Sequence, residues 1–131
     1  MEQKKEVYFE EKLPKRVVLY GDIFLCNLDP VKGSEEGKKR PVIIVQNDVG
    51  NKYSPTTIVV PTTSHFKRKE WFHIEVEPDP ENGLYSEGKI LCEQIRTVDK
   101  VRLGQKIGHL PNSLMQKISD TEARLLCNRW H

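Results

Sequence analysis

Arg40 stands where a polar, glycine-bearing loop enters the apolar run Pro41-Val42-Ile43-Ile44-Val45, and Thr62-Thr63-Ser64-His65 follow the next run, Thr57-Ile58-Val59-Val60. An arginine fork matches two phosphate oxygens at once, and hydroxyls at the end of a strand can donate to the same group. Such a set could support displacement at phosphorus with a nucleophile that the substrate itself carries, as RNA carries its 2′-hydroxyl. That reaction asks a protein to take up a proton, to stabilise charge on the phosphorane and to help the 5′-oxygen leave. Each role is worth on the order of 10²–10⁴-fold. A guanidinium in isolation stays protonated and is a poor general base, so a neighbour would have to alter its surroundings. His65, an imidazole close behind Thr63, is the rival proton carrier. Read from composition and pattern alone, Arg40 is a surface cation and Thr62-Thr63-Ser64 are turn and cap hydroxyls.

Most other enzyme chemistries lack support. The histidines (His65, His73, His109, His131) are scattered, and there is no H-E-x-x-H, nucleophile elbow, phosphate-binding loop or dinucleotide fingerprint. Cys26, Cys92 and Cys127 are widely spaced and form no C-x-x-C pair, which argues against a zinc site or a disulfide framework and for small buried residues. No metal and no cofactor is expected. The formal net charge is only +2, but it is unevenly spread: Lys38-Lys39-Arg40, Lys67-Arg68-Lys69 and Arg96/Lys100/Arg102 form local basic clusters. Such clusters can neutralise phosphates or be no more than a solvated face.

The elements that must position these residues read as short strands. The chain has 131 residues, enough for one domain with one core. Residues 1–16 are dominated by charge and read as an N-terminal extension, with a single domain over 17–131. Val17 to Cys26 gives two short apolar runs around a Gly-Asp turn. Pro41–Val45 and Thr57–Val60 read as strands, with Pro61 marking an end or an edge position. Asn47-Asp48-Val49-Gly50-Asn51 breaks the pattern between them. Phe72–Glu77 alternates like a strand with one wet face, the stretch from Glu77 to Gly83 is a loop, and Lys89–Val98 reads as one further strand. The period then changes: Leu114, Ile118 and Leu125 share a helical face, with Met115 and Leu126 beside them. Ser113 and Gln116 have the spacing of a capping box, so a helix should begin near Asn112 or Ser113. The fold class predicted is mainly β with a C-terminal helix, as a small antiparallel barrel or sandwich. No apolar run is long enough for a membrane span and no signal-peptide core is present, so a cytoplasmic location is expected.

Several segments together resemble the MazF/PemK family of toxin–antitoxin ribonucleases. They are Gly21-Asp22-Ile23, Leu28-Asp29-Pro30, Gly33-Ser34-Glu35-Glu36-Gly37-Lys38-Lys39-Arg40-Pro41-Val42, Val45-Gln46-Asn47-Asp48, Asn51-Lys52-Tyr53-Ser54-Pro55-Thr56, Val60-Pro61-Thr62-Thr63 and Glu93-Gln94-Ile95-Arg96-Thr97-Val98-Asp99-Lys100. The blocks keep their order over about residues 20–120. The resemblance implies an SH3-like barrel of the MazF/PemK/CcdB type with a C-terminal helix, assembled as a homodimer. It also implies sequence-specific, metal-independent cutting of single-stranded RNA to 2′,3′-cyclic phosphate and 5′-hydroxyl ends, neutralised by an antitoxin whose acidic disordered tail covers the RNA groove.

Carried over by residue, the catalytic pair falls on Arg40 and Thr63. Glu35 matches a position at the RNA groove, and Glu93 and Gln94 match positions that contact bases, whose exposed edges carboxylates and amides can read. Lys38, Lys39 and Arg96 would add electrostatic hold, and Ser64 and His65 belong to the same RNA-facing set. The chain departs from the family pattern at Glu36 and Lys38, where Gln and Gly are common, and at Tyr20, where a charged residue commonly precedes Gly-Asp. Two other readings stay open. The same barrel serves non-catalytic toxins that bind DNA gyrase, which would leave Arg40 and Thr63 dispensable, and a domain that only binds RNA or an antitoxin would need the basic clusters alone.

Overall fold

Alternating runs separated by polar turns pair here into an antiparallel sheet, seen in a computed structural model that describes residues 16–28, 39–65 and 68–128. The elements are β1 Asp22–Asn27, β2 Lys39–Ile44, α1 Asp48–Tyr53, β3 Thr56–Thr63, β4 His73–Val76, β5 Gly88–Leu91, β6 Arg96–Asp99, β7 Leu103–His109 and α2 Asn112–Leu125. The strand order is β4-β5-β3-β2-β1-β7, and β6 lies beside β5 on β3. β6 pairs with Thr56–Val59 and β5 with Thr62 and Thr63, so one edge of β3 serves two partners in turn. Mainly antiparallel β with a terminal helix is the architecture expected from the sequence.

The sheet separates two apolar clusters, as period-2 alternation requires. On one face Ile23, Ile43, Val60 and Ile90 come from neighbouring strands and are covered by Leu110 and by Met115 and Ile118 of α2. On the other, Phe24, Cys26, Val42, Ile44, Val59, Val98 and Leu103 pack around Val18. Each such side chain contributes roughly 1.5–3 kcal/mol by leaving water.

Several details differ from the sequence reading. Lys89–Val98 is not one strand: a 3-10 turn at Cys92–Gln94 divides it into β5 and β6. Pro61 is neither an end nor an edge residue. It lies inside β3 opposite Val42 of β2, and on its other side it falls between the last residue paired with β6 and the first paired with β5. A residue without an N–H is tolerated at such a gap. Asn47–Asn51 forms a helical turn rather than a simple break. The Asn47 side chain accepts from Gly50 N–H at 2.8 Å as N-cap, and Asn51 locks the turn down. Asn51 donates to the Gln46 carbonyl at 2.8 Å, and its own amide oxygen accepts from Thr57 at 2.7 Å. The capping box is absent, because α2 starts at Asn112 with Pro111 as cap residue and no side-chain cap bond; Gln116 donates to Asp120 instead. Leu126 lies past the end of α2 and is exposed. β7 is an element the sequence reading did not identify. Residues 1–15, including most of the charged extension, and the loop positions Glu35 and Lys38 lie outside the described residues.

Two of the three cysteines are buried as expected, and the third, just past the end of α2, is not. Cys26 and Cys92 are fully buried, and Cys127 is partly exposed. Desolvation, then the nearby Glu122 and Glu93, pushes the Cys92 thiol up to about 12. Burial also raises Cys26, an effect that Arg102 and Arg96 partly offset. Thiolates are the reactive species. The native protein at pH 8 should therefore react with a disulfide reagent at one thiol quickly, and at all three only in denaturant. A second fast thiol would contradict the burial of the pair.

Candidate active site

β2 and β3 bring the two principal candidates together. Val42 lies opposite Pro61 in their register, and extending that register sets Arg40 opposite Thr63. Residues opposite each other on antiparallel strands project to the same side. The two line a cleft of about 400 Å³ together with Lys39, Ser64 and His65. Sequence positions 39–40 and 63–65 thus meet in one place, and the bulk of the predicted phosphate-facing set is inside it.

The hydroxyl geometry distinguishes three neighbours that look alike in sequence. Thr62 is buried, and its hydroxyl donates to the Pro41 carbonyl at 3.2 Å, which ties β3 to β2. Thr63 instead accepts from the His65 N–H at 3.2 Å. That bond fixes the oxygen and leaves its own proton to be donated into the cleft. Ser64 and His65 are exposed at the rim. Arg40 is exposed as well, and among the described residues no acceptor holds its guanidinium.

On the other side of Thr63, β5 places Lys89 directly opposite. Its side chain is buried, and its ammonium donates to the Arg68 carbonyl at 2.6 Å. Sequence reasoning missed Lys89; the available signal was a lysine at the head of the apolar stretch Ile90-Leu91-Cys92. The far wall of the cleft, Tyr85, Ser86 and Glu87, was missed too. That wall stands on a loop organised by Asn82, which is buried, accepts from the N–H groups of Asp79 (3.1 Å) and Leu84 (2.9 Å), and donates to the Glu77 carbonyl at 2.9 Å.

Glu93, Gln94 and Arg96 do not line this cleft. Glu93 and Gln94 are exposed on the 3-10 turn beyond the far end of β5. His73 faces Glu93, with Nε2 at 3.3 Å from one carboxylate oxygen. Because His73 Nδ1 accepts from the Glu70 N–H at 3.2 Å, the proton of a neutral ring sits on Nε2 and is donated to Glu93. Arg96 donates to the Leu28 carbonyl at 3.2 Å, and Arg102 to the Asn27 carbonyl at 2.9 Å. Two arginines therefore hold the end of β1. Among the described residues, no group of three or more His, Cys, Asp or Glu side chains is arranged to hold a metal ion.

Residues 20–126 match the model of the PemK-like, MazF-like toxins of type II toxin–antitoxin systems. The chain belongs to that family. The endoribonuclease EndoA of Bacillus subtilis is 44% identical over 105 residues, covering 79% of this chain and 90% of that relative. The endoribonuclease MazF of Staphylococcus saprophyticus is 46% identical over 101 residues, covering 76% and 83%. Among solved structures, MazF of Deinococcus radiodurans superposes with a TM-score of 0.69 at 22% identity, covering 86% of this chain and 98% of that one. A mycobacterial endoribonuclease in complex with its cognate antitoxin gives 0.66 at 23% identity, covering 89% and 100%. At those identities the structural likeness carries the fold alone. Among the described residues no helix is long and apolar enough to cross a membrane.

Several blocks shared with the family are structural in this chain. Gly21 N–H donates to the Ile44 carbonyl at 2.8 Å. Asp22 accepts from the Leu19 N–H at 3.0 Å and pairs with Lys106 at 3.2 Å. Asp48 accepts from the Tyr20 N–H at 2.7 Å.

Proposed function

We propose that this chain is the toxin endoribonuclease of a toxin–antitoxin pair, cutting single-stranded RNA at specific sequences by attack of the substrate's own 2′-hydroxyl. The reading is carried by the convergence of Arg40, Thr63, Ser64 and His65 on one cleft; membership of the MazF-like family and the endoribonuclease relatives support it.

In this mechanism the scissile phosphate enters the cleft between Arg40 and Thr63. The 2′-oxygen attacks phosphorus and loses its proton, the bond from phosphorus to the 5′-oxygen breaks, and a proton passes to the leaving oxygen. Arg40 contacts the phosphate and takes part in the proton transfer. Thr63 donates to a non-bridging oxygen, with its own oxygen held by the His65 N–H. His65 is the alternative proton carrier. Lys38, Lys39 and Arg96 add electrostatic hold, and Glu35, Glu93 and Gln94 read base edges. The ends produced are a 2′,3′-cyclic phosphate and a 5′-hydroxyl. The active form is a cytoplasmic homodimer, inhibited by an antitoxin whose acidic tail competes with RNA for the groove.

Purified protein incubated with a long single-stranded RNA in excess EDTA should yield discrete cuts that map to a common motif and carry cyclic-phosphate ends. RNA left intact beside an active control ribonuclease would refute the reading and shift it to a gyrase-binding toxin of the same fold.

A further inference from the structure

The inner stripe of α2 runs Met115, Ile118, Glu122. The third residue breaks an apolar pattern with a carboxyl that is only 9% exposed. Both carboxyl oxygens are buried, and neither has a hydrogen-bond partner among the described residues. An unpartnered buried carboxylate is among the costlier groups a protein can carry. Its location adds to the cost. Glu122 lies in the last turn of α2, where the helix dipole disfavours negative charge.

The element packed against this part of α2 is the 3-10 turn Cys92–Gln94. On that turn the Cys92 thiol and the Glu93 carboxylate lie close enough to act electrostatically on Glu122. From β4, His73 contacts Glu93 at 3.3 Å and lines a cleft with Lys117, Asp120, Thr121 and Arg124 of α2. On α2 itself, Asp120 and Arg124 are exposed; Asp120 accepts from Gln116, and Arg124 lies 4.4 Å over the Trp71 ring. No described residue hydrogen-bonds the Glu122 carboxyl, whereas Glu93 adds a second negative charge nearby.

We propose that Glu122 is a positioning residue for the Cys92–Gln94 turn, which its neutral carboxyl seats against α2 and its ionised carboxylate loosens. The inference rests on Glu93 and Gln94 reading RNA bases. Ionisation places a second charge beside Glu93 inside an apolar contact, and relief comes most cheaply by parting the last turn of α2 from the 3-10 turn. Burial first, and Glu93 second, push the Glu122 carboxyl from an ordinary 4.5 up to about 7. Both forms are then populated near neutrality. The folded chain holds a proton there that the unfolded chain has released. Stability accordingly falls as pH rises from about 4.5 to about 7 and levels off above that.

The test uses the full chain and Glu122→Gln, with Glu122→Leu as a second neutral variant in case the amide packs poorly. The probe is an RNA containing the mapped cut site, made 2′-deoxy at that position so that it binds without being cut, at constant ionic strength. With a binding-competent fraction that falls from about nine-tenths to about one-tenth over two pH units, the parent should lose about tenfold in affinity between pH 6 and pH 8. The neutral variants should lack that step and bind at pH 8 as the parent does at pH 6. Any contribution from His73 is common to all three proteins. Thermal unfolding without RNA gives an independent readout: from pH 5 to pH 7 the parent should lose stability relative to Glu122→Gln. If this thermal difference appears while all three proteins share one pH dependence of RNA affinity, Glu122 is merely a tolerated buried acid and the positioning role is overturned. If no protein binds or cuts RNA, the ribonuclease reading fails and the inference fails with it, a case recognisable because the thermal difference persists. Identical thermal profiles would overturn the proton coupling itself.

Discussion

Replacing Arg40 by alanine should lower the cleavage rate by more than about a hundredfold, equivalent to roughly 2.7 kcal/mol of barrier. The expectation follows from the setting of the guanidinium at the cleft beside Thr63. If Arg40 stabilises charge that develops on the phosphorane and takes part in proton transfer, its loss acts on the transition state more than on ground-state binding. Single-turnover rates at saturating RNA should therefore fall, with a smaller change in the half-saturating concentration. Arg40→Lys should recover only part of the loss, since an ammonium keeps the charge and lacks the two-pronged donor geometry. Because Arg40 is exposed, the thermal midpoint of Arg40→Ala should stay close to that of the parent, as surface substitutions away from special features usually do. Equal rates for parent and variant would remove Arg40 from the mechanism and bring His65 forward.

Gly83→Ala should destabilise the fold by about 4 kcal/mol or more, a large share of the 5–15 kcal/mol by which domains are stable. Gly83 has φ +68°, and a Cβ built there would stand 2.0 Å from the Ile107 carbonyl oxygen on β7. Ile107 lies at an irregularity of β7, between Lys106 and Gly108, which pair with Phe24 and Ile23 of β1, and pairing on both sides limits how far its carbonyl can shift. The contact is reciprocal: a Cβ at Gly108 would stand 2.3 Å from the Glu81 carbonyl oxygen. Loop and strand therefore approach backbone to backbone, anchored by the His109 N–H donating to the Glu81 carbonyl at 3.0 Å. The same loop leads into the far wall of the cleft, so the surviving folded fraction should also cut RNA more slowly. A urea midpoint within a few tenths molar of the parent, at unchanged slope, would show that the loop can move away and that the close approach is dispensable.

The sequence by itself determined the strands that carry Arg40 and Thr63 and the helix that closes the chain. Strand alternation and helical period are set by neighbours in the chain, and β2, β3, β4 and α2 could be read from them. The ordered family blocks supplied what local pattern lacked, a reason to join Arg40 to Thr63 across a loop and a strand. They did not separate chemistry from architecture, however. Gly21-Asp22, Asn47-Asp48 and Asn51 stand in those blocks with the same prominence as Arg40, and here they serve backbone turns and buried polar contacts.

What the tertiary structure decided depends on partners distant in sequence. β7 was hidden because Gly104 and Gly108 depress strand character, and their smallness matters only once Leu25 and the Glu81–Asn82 backbone lie against them. The break at Cys92–Gln94 falls where the apolar stretch Ile90-Leu91-Cys92 gives way to Glu93-Gln94, a change that does not by itself mark a turn, and the hand-over of β3 from β6 to β5 gives it a reason. Lys89 becomes a neighbour of the site through register with Thr63, and Glu122 becomes a buried acid through the packing of α2 on the 3-10 turn. Local order follows from steric rules between adjacent residues, while register, burial and protonation follow from which distant segments exclude water from one another, a property no short stretch of this chain contains.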